Sequence, residues 1–514
     1  MYPPEWTLNP IKSEDKFWGQ GKWLLGLPLI VYVGFAVWFP LRPFLAQIPQ
    51  PDIFTFTPSL ALGIFYGLLL IGLFGWLWLA FTRTWQGRWQ FSLRIILVTA
   101  VFYILPLVFT YPINATDVYR YVIRGRITSQ YHANPFVTPP AHFADDPLLP
   151  LAGEWATATS PYGPVWELLA GGITAVFPQS LYTNLLLFKL LGATLHLLIT
   201  IIIWHSLPSN RAKIAHTLLW AWNPAGLLIF VTDAHNDALM LFWLLLAWWL
   251  LKQKRHQTGL LIAWLAPLTK PIGLLALPFF FLYVGREQTT WKQRLQVWGT
   301  AVFAGATLTL LAFIPFGSPL ALAQRLLQEA SASAGFSWAT LIILLGRQIR
   351  FAPSFAILSR VGQSLLGIIA LWLAWHTWNG RSPLRAIADI FLAYIWQAFN
   401  FRLWYTIWPF AWLLLDSPHT PHATFRLHVG LWQLLTAQLS VLIYQHMRLF
   451  LFQGNQLAAH LIGVPFTLLL PLVLAWWTQN HLHPHSHSPE HTPHSGMPQT
   501  EIHVHSHTPT SEIP

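Results

Sequence analysis

Residues 23–41 and 59–82 contain no charged side chain, and each run is long enough to cross about 30 Å of hydrocarbon as a helix. A chain with two such segments has lipid as a main solvent, and the rest of the sequence agrees. Of 514 residues, 54% are hydrophobic and only 9% charged, against about 25% charge in an ordinary soluble domain. So few charges could not cover a water-soluble globule of this size. The 30 Trp and 14 Tyr suit the two membrane–water interfaces, where amphipathic rings collect.

The chain has no Cys, which excludes disulfides, a thiol nucleophile, Cys-ligated zinc and iron–sulfur clusters. Its net charge of +11, in so apolar a chain, points to cationic loops on a cytoplasmic face rather than to nucleic acid. The stretch 1–22 mixes Lys12 and Lys16 with Glu5, Glu14 and Asp15 and shows no small-residue cleavage site. It reads as a retained cytoplasmic segment.

Further apolar runs follow at 95–110, 181–205, 215–231, 238–251, 295–315, 355–378, 386–400, 401–416, 427–446 and 457–478. Residues 258–268 and 272–284 are each short for a crossing and flank Lys270-Pro271, which predicts a hairpin of broken helices. The run 165–177 reads as an outer, non-spanning helix. The expected fold class is therefore an all-α polytopic membrane protein of about 12–14 transmembrane segments, with a membrane domain over 23–478. A large outer loop, 111–164, follows the third span. The tail 479–514, rich in His, Pro, Ser and Thr, is expected to be a disordered cytoplasmic segment. Its alternating His could hold zinc or nickel only loosely, since no acidic or Cys partner fixes a geometry.

With both termini inside, 17 of the 29 Lys and Arg fall on the inner side. Arg120, Arg124, Lys189, Lys270 and Arg402 are among those that do not. Cations near membrane depth are costly and mark a function or a pairing. An anionic ligand at the outer face, such as a lipid phosphate, would explain them. Snorkelling or pairing with carboxylates would do so as well.

Four constellations carry candidate chemistry. In 111–164, Asn114 or Thr116 can cap a helix whose first turn holds Asp117. Asp117, Arg120, Tyr121 and Arg124 then share one face. A carboxylate beside guanidinium groups suits a general base next to a bound phosphate. The plain alternative is an exposed ion pair worth about 0.3–0.5 kcal/mol. Asn134-Pro135-Phe136 and the Ser160 to Pro164 turn containing Tyr162 are rigid sequences that bracket a loop shaped for a substrate. The second group is Asp233-Ala234-His235-Asn236-Asp237, a capping turn or a sugar or phosphate site. The third is Lys270, a point charge for phosphate at a Pro break. The fourth is Arg402 with Tyr405, either a lipid head-group site or an aromatic-belt anchor.

These segments together resemble the GT-C glycosyltransferases of bacteria. The strings TDVYRYVIRGRI, NPF and SPYGPVW are similar to the first large outer loop of polyprenyl-phosphate-mannose-dependent alpha-mannosyltransferases. HNDALM at 235–240, TKPIGLLALPF at 269–279 and FRLWYTIWP at 401–409 resemble later family elements in the same order. The chain departs from the pattern with Phe136 in place of Tyr, with three Arg in the opening helix, and with no Asp-x-Asp at 117. Asp145-Asp146 could supply an acidic pair, deep in the loop.

The resemblance implies an enzyme of the inner (plasma) membrane that takes a hexose, mannose first, from a polyprenyl-phosphate-sugar donor at the outer face. The acceptor would be a lipid or a glycan. Asp117 stands at the family's base position, so it is the expected base of an inverting displacement, with no cofactor and no metal. Some of Arg120, Arg124, Lys270 and Arg402 would hold the phosphate. His235 and Asp237, with Tyr121, Asn134, Tyr162, Asn236 and Tyr405, would shape the substrate site. A transporter or lipid flippase for a phosphate-bearing lipid or sugar is the alternative, because broken helices with charges at depth occur there too. A scaffold in envelope assembly is a third.

The absence of native Cys makes the orientation directly testable. A single Cys at Ala141 should react with an impermeant maleimide on intact cells, and one at Gln86 only after lysis; the reverse pattern would invert the topology.

Overall fold

The computed structural model describes residues 22–208, 211–329, 335–351, 353–416 and 421–482. The segment 1–21 and the His-rich stretch from 483 onward lie outside them, and with these the expectations for the N-terminal segment and most of the tail. Among the described residues the chain is helical and contains no strand, only an isolated antiparallel bridge between Pro40 and Thr110.

The helices used below are α1 (Gly26–Trp38), α2 (Leu60–Trp85), α3 (Leu93–Val108), α4 (Asp117–Ser129), α5 (Pro164–Val176), α6 (Leu181–Ser206) and α7 (Arg211–Ala221). They continue as α8 (Asp237–Lys252), α9 (His256–Thr269), α10 (Leu277–Glu287) and α11 (Trp291–Phe313). Six helices are long and apolar enough to cross a membrane alone: Leu60–Trp85, Leu181–Ser206, Trp291–Phe316, Phe355–Trp378, His422–Phe450 and Gln456–Asn480. A seventh crossing forms if α7 and Pro224–Thr232, bent by 42°, are taken as one. Every other run read as apolar in the sequence is also helical, but shorter. The reason is that several helices stop partway, at Asn223-Pro224, at Asp233 to Asn236, and at Lys270-Pro271. Lipid-facing positions are apolar where spans need them to be, as on α2, where Ile64, Phe65, Leu68 and Ile71 are exposed.

The expected hairpin around Lys270-Pro271 forms. α8 has 16 residues and α9 has 14, so each rises only about 21–24 Å. They pack side by side. At one end Lys254 donates to Glu287 at 2.6 Å, and at the other Lys270 donates to Asp237 at 2.7 Å. α9 therefore runs up beside α8, and α10 returns to its starting level.

Above this hairpin lies the loop 111–164. Its first element, α4, begins at Asp117 as expected, but not with the expected cap. Thr116 makes no side-chain cap bond, and Asn114 donates its side-chain amide to Gln438 at 3.2 Å instead. α4 crosses α5 at Gly125, where a Cβ would strike the carbonyl of Ala170. The remaining loop is pinned at both brackets. Asn134 Oδ1 accepts from Phe136 N at 2.9 Å and its Nδ2 donates to Phe316 O at 2.5 Å, while Ser160 N donates to Pro135 O at 2.8 Å. Gly163 N donates to Thr269 O at 3.0 Å, and a Cβ at Gly163 would overlap the Leu268 carbonyl.

That contact predicts that Gly163→Ala forces the loop away from α9. Overpacking of this kind costs about 1–3 kcal/mol. The thermal midpoint of the purified protein should fall accordingly; an unchanged midpoint would mean that the loop is not held there.

Candidate active site

Asp117 opens α4 with a buried carboxylate, 5% exposed. Arg120, one turn on, is bonded to its Oδ1. On the exposed face of a helix this pair would be nearly silent energetically, but here the carboxylate is desolvated and the cation is its compensation. Arg120 is in turn held by Trp155 of the loop, whose ring lies 4.5 Å from the guanidinium carbon.

A second carboxylate comes from the break before α8. The helical turn Leu228–Thr232 ends at Asp233, Ala234 takes a left-handed φ of 55°, and α8 starts at Asp237. This reversal places His235 Nδ1 3.8 Å from Asp117 Oδ2 and 3.7 Å from Asp237 Oδ2. Both oxygens of Asp237 are engaged: Oδ2 by Lys270 at 2.7 Å and Oδ1 by Trp408 Nε1 at 2.5 Å. Trp404 covers the His235 ring at 4.1 Å between centroids. Four segments separated by up to about 290 residues in the chain thus converge on one point.

The other expected site residues fall in layers around this point. Tyr121 OH accepts from Asn236 N at 3.3 Å, and its ring meets Tyr162 at 5.4 Å and Trp166 at 4.7 Å. Arg124, 2% exposed, lies against Tyr162 and donates to Thr159 O at 3.3 Å, so it backs the loop. The side-chain amide of Asn236 is buried, and neither of its polar atoms has a hydrogen-bond partner among the described residues. Arg402 stands beside Trp404, 6.0 Å from its ring centre, and Tyr405 stacks on Trp408 at 4.3 Å. Asn134 is not part of the convergence; it ties the loop to Phe316. Asp146 is likewise committed, to Arg126 at 3.0 Å and Tyr131 at 2.9 Å.

Three contributors carried no signal of their own in the sequence. Trp155, Trp404 and Trp408 are among 30 tryptophans in a membrane protein, where interfacial anchoring is the ordinary explanation. Trp404 and Trp408 could have been found only by treating FRLWYTIWP as a motif reaching into the site.

Electrostatically the site is a pair of buried carboxylates answered by cations closer to solvent. Burial acts to raise the Asp117 carboxyl, but the cations Arg120, Lys270 and Arg402 help to hold the group below its ordinary value. Burial pushes the His235 imidazole down to about 4, against the opposing pull of Asp117 and Asp237. The arrangement can offer an ionised carboxylate, a neutral imidazole and a cationic rim suited to an anion.

Comparison with known proteins bears on residues 24–286, which match the family described as "Alpha-(1->6)-mannopyranosyltransferase, N-terminal domain". The chain is 26% identical over 347 residues to an Alpha-(1->6)-mannopyranosyltransferase A of Mycobacterium tuberculosis, covering 63% of this chain and 64% of that protein. A protein of the same name from Corynebacterium glutamicum is 23% identical over 222 residues, covering 40% of this chain and 44% of its own length. The chain thus spans less than two thirds of either curated relative. No solved structure matches. The family match includes Asp117, His235, Asp237 and Lys270, whereas Arg402 and Tyr405 lie beyond it.

The buried imidazole gives the fold a defined acid sensitivity. Its folded value, about 4, lies below the 6.5 of an ordinary imidazole. As pH falls through 6.5 the unfolded chain binds a proton that the folded one refuses, so stability declines between these two values. His235→Gln should show a smaller drop in thermal midpoint than wild type between pH 7 and about 4; equal drops would mean that the ring is already protonated in the fold.

Proposed function

Because this chain belongs to the alpha-(1->6)-mannopyranosyltransferase family, we propose that it is a membrane glycosyltransferase that moves a hexose, mannose first, from a polyprenyl-phosphate donor to a lipid or glycan acceptor. The observation that carries this reading is the meeting of Asp117 with His235, Asp237 and Lys270 under a cationic rim. A sugar phosphate has two demands, a counter-charge for the leaving phosphate and a base for the attacking hydroxyl. The site supplies residues for both.

Arg120, Lys270 and Arg402 neutralise the donor phosphate, and Arg124 supports the loop beside them. Asp117 accepts the proton of the acceptor hydroxyl as its oxygen forms the new bond to the anomeric carbon. The bond from that carbon to the phosphate oxygen breaks, and the electron pair leaves with the phosphate. Attack opposite the leaving group inverts the anomeric centre. Most of the acceleration comes from positioning and charge stabilisation rather than from covalent chemistry. Asp237, fixed by Lys270 and Trp408, holds His235 in place, and the unshared amide of Asn236 suits a sugar hydroxyl. The reading places the reaction at the outer face of the inner membrane, with N- and C-termini cytoplasmic. The sugar donor, the acceptor and the surrounding membrane lipids are its partners.

The test uses purified protein in nanodiscs with radiolabelled polyprenyl-phosphate hexoses and a total lipid and glycan extract. Wild type should transfer label and Asp117→Asn, still folded, should lose at least about 100-fold, the lower end of what a general base contributes. Full transfer by the variant would remove the role given to Asp117. Labelled lipid moved between leaflets, with no transfer from any donor, would make the protein a transporter.

A further inference from the structure

Behind the site lies a buried cation that the reaction does not touch. Lys189 sits on α6 with no exposed surface. Its ammonium donates to Val231 O at 3.2 Å and also to Thr232 O. These are the last carbonyls of the turn Leu228–Thr232, and the chain reverses immediately after them, with Asn236 N donating to Tyr121 OH instead. A buried carbonyl without a donor is costly, and a lysine at a helix C-terminal end is one of the few groups that can satisfy two at once.

The same turn is fixed from other directions. Asp233 N donates to Leu228 O at 2.9 Å and His235 N to Ile229 O at 3.0 Å. Gly192, on α6 beside Lys189, lies where any Cβ would strike Phe230 O. The carboxylate of Asp233, also fully buried, interacts electrostatically with Lys189 and accepts from Asn114 N at 3.4 Å. Asn114 leads directly into α4 and Asp117. One lysine therefore stands under the turn that presents His235 and Asp237, and Asp233 beside it holds the stretch of chain that leads to Asp117.

We propose that Lys189, acting with Asp233, is a positioning residue for the transfer reaction: it sets the separation of His235 and Asp237 from Asp117 without meeting the substrate. This inference rests on the transferase reading above. An error of about 1 Å in such a separation can reduce turnover about 100-fold while leaving remote binding contacts intact. The effect belongs in kcat rather than in the KM of a donor held by Arg120, Lys270 and Arg402.

Removing Lys189 alone would leave Asp233 buried without its basic partner, so the decisive variant replaces both. Lys189→Met/Asp233→Asn is compared with Asp233→Asn and wild type, with radiolabelled polyprenyl-phosphate mannose as donor and the thermal midpoint recorded for each. Gly192→Ala displaces the same turn with no change of charge. The expected result is a folded double variant whose kcat falls at least about tenfold with donor KM within about threefold, and a parallel kcat loss in Gly192→Ala. Wild-type kcat in the folded double variant overturns the proposal, whatever Gly192→Ala does. If the double variant does not fold, Gly192→Ala decides: lowered kcat at unchanged KM supports the proposal, and full activity assigns Lys189 to stability alone and overturns it. Wild-type protein that transfers from no donor sinks the transferase reading itself, a result distinct from either.

Discussion

A helix that stops in a buried, apolar setting leaves carbonyl and amide groups that need partners from the protein, and this chain stops helices at several buried points. Buried side chains stand at these stops, and at the end of α9 the backbone N–H of Gly163 answers the Thr269 carbonyl. Asn223 Oδ1 accepts from Ala225 N and Gly226 N at the bend after α7. Lys189 closes the next break, and Lys270 and Trp408 occupy the carboxylate at the start of α8. The polar groups that compensate for broken helices are also the groups that build the site. Structure and chemistry here draw on one set of buried charges, which is why the region is almost wholly buried yet rich in titratable side chains.

The distribution of sign matters as much as the number of charges. The carboxylate of Asp237 is fully buried and that of Asp117 nearly so, while the side chains of Lys270 and Arg120 retain 15% and 22% exposure. An anion approaching from solvent meets positive charge first. Burying carboxylates alone would drive them to neutrality, and burying the cations with them would leave nothing to attract a phosphate. The layering keeps Asp117 ionised and presents a positive rim at the same time.

Much of this was legible in the sequence, and the reasons for the rest are physical. Long uncharged runs give helices because hydrocarbon leaves the backbone no other partner, although only six of the described helices are long enough to cross alone and several runs are broken. Asp117, His235, Asp237 and Lys270 were readable because a charged residue in a greasy stretch demands an explanation. Asn134 looked equally suggestive, but an Asn before Pro serves a turn as readily as a ligand, and it serves the turn. Thr116 and Asn114 were reasonable caps, yet Gln438, distant in sequence, took the Asn114 amide. Lys189 was visible only as a cation at an awkward depth. Its targets are main-chain carbonyls, which no sequence pattern announces. Trp404 and Trp408 were hidden by abundance.

The hairpin of α9 and α10 is fastened at both ends, by Glu287 to Lys254 and by Lys270 to Asp237. This turns the length of α9 into a coded quantity. One residue added within it would rotate Lys270 by about 100° around the helix axis and lift it about 1.5 Å, enough to lose Asp237 altogether. A whole added turn would restore the bearing but overshoot the partner by about 5.4 Å. Either change would break one of the two ties, so the residue count of α9 is fixed by its two ends.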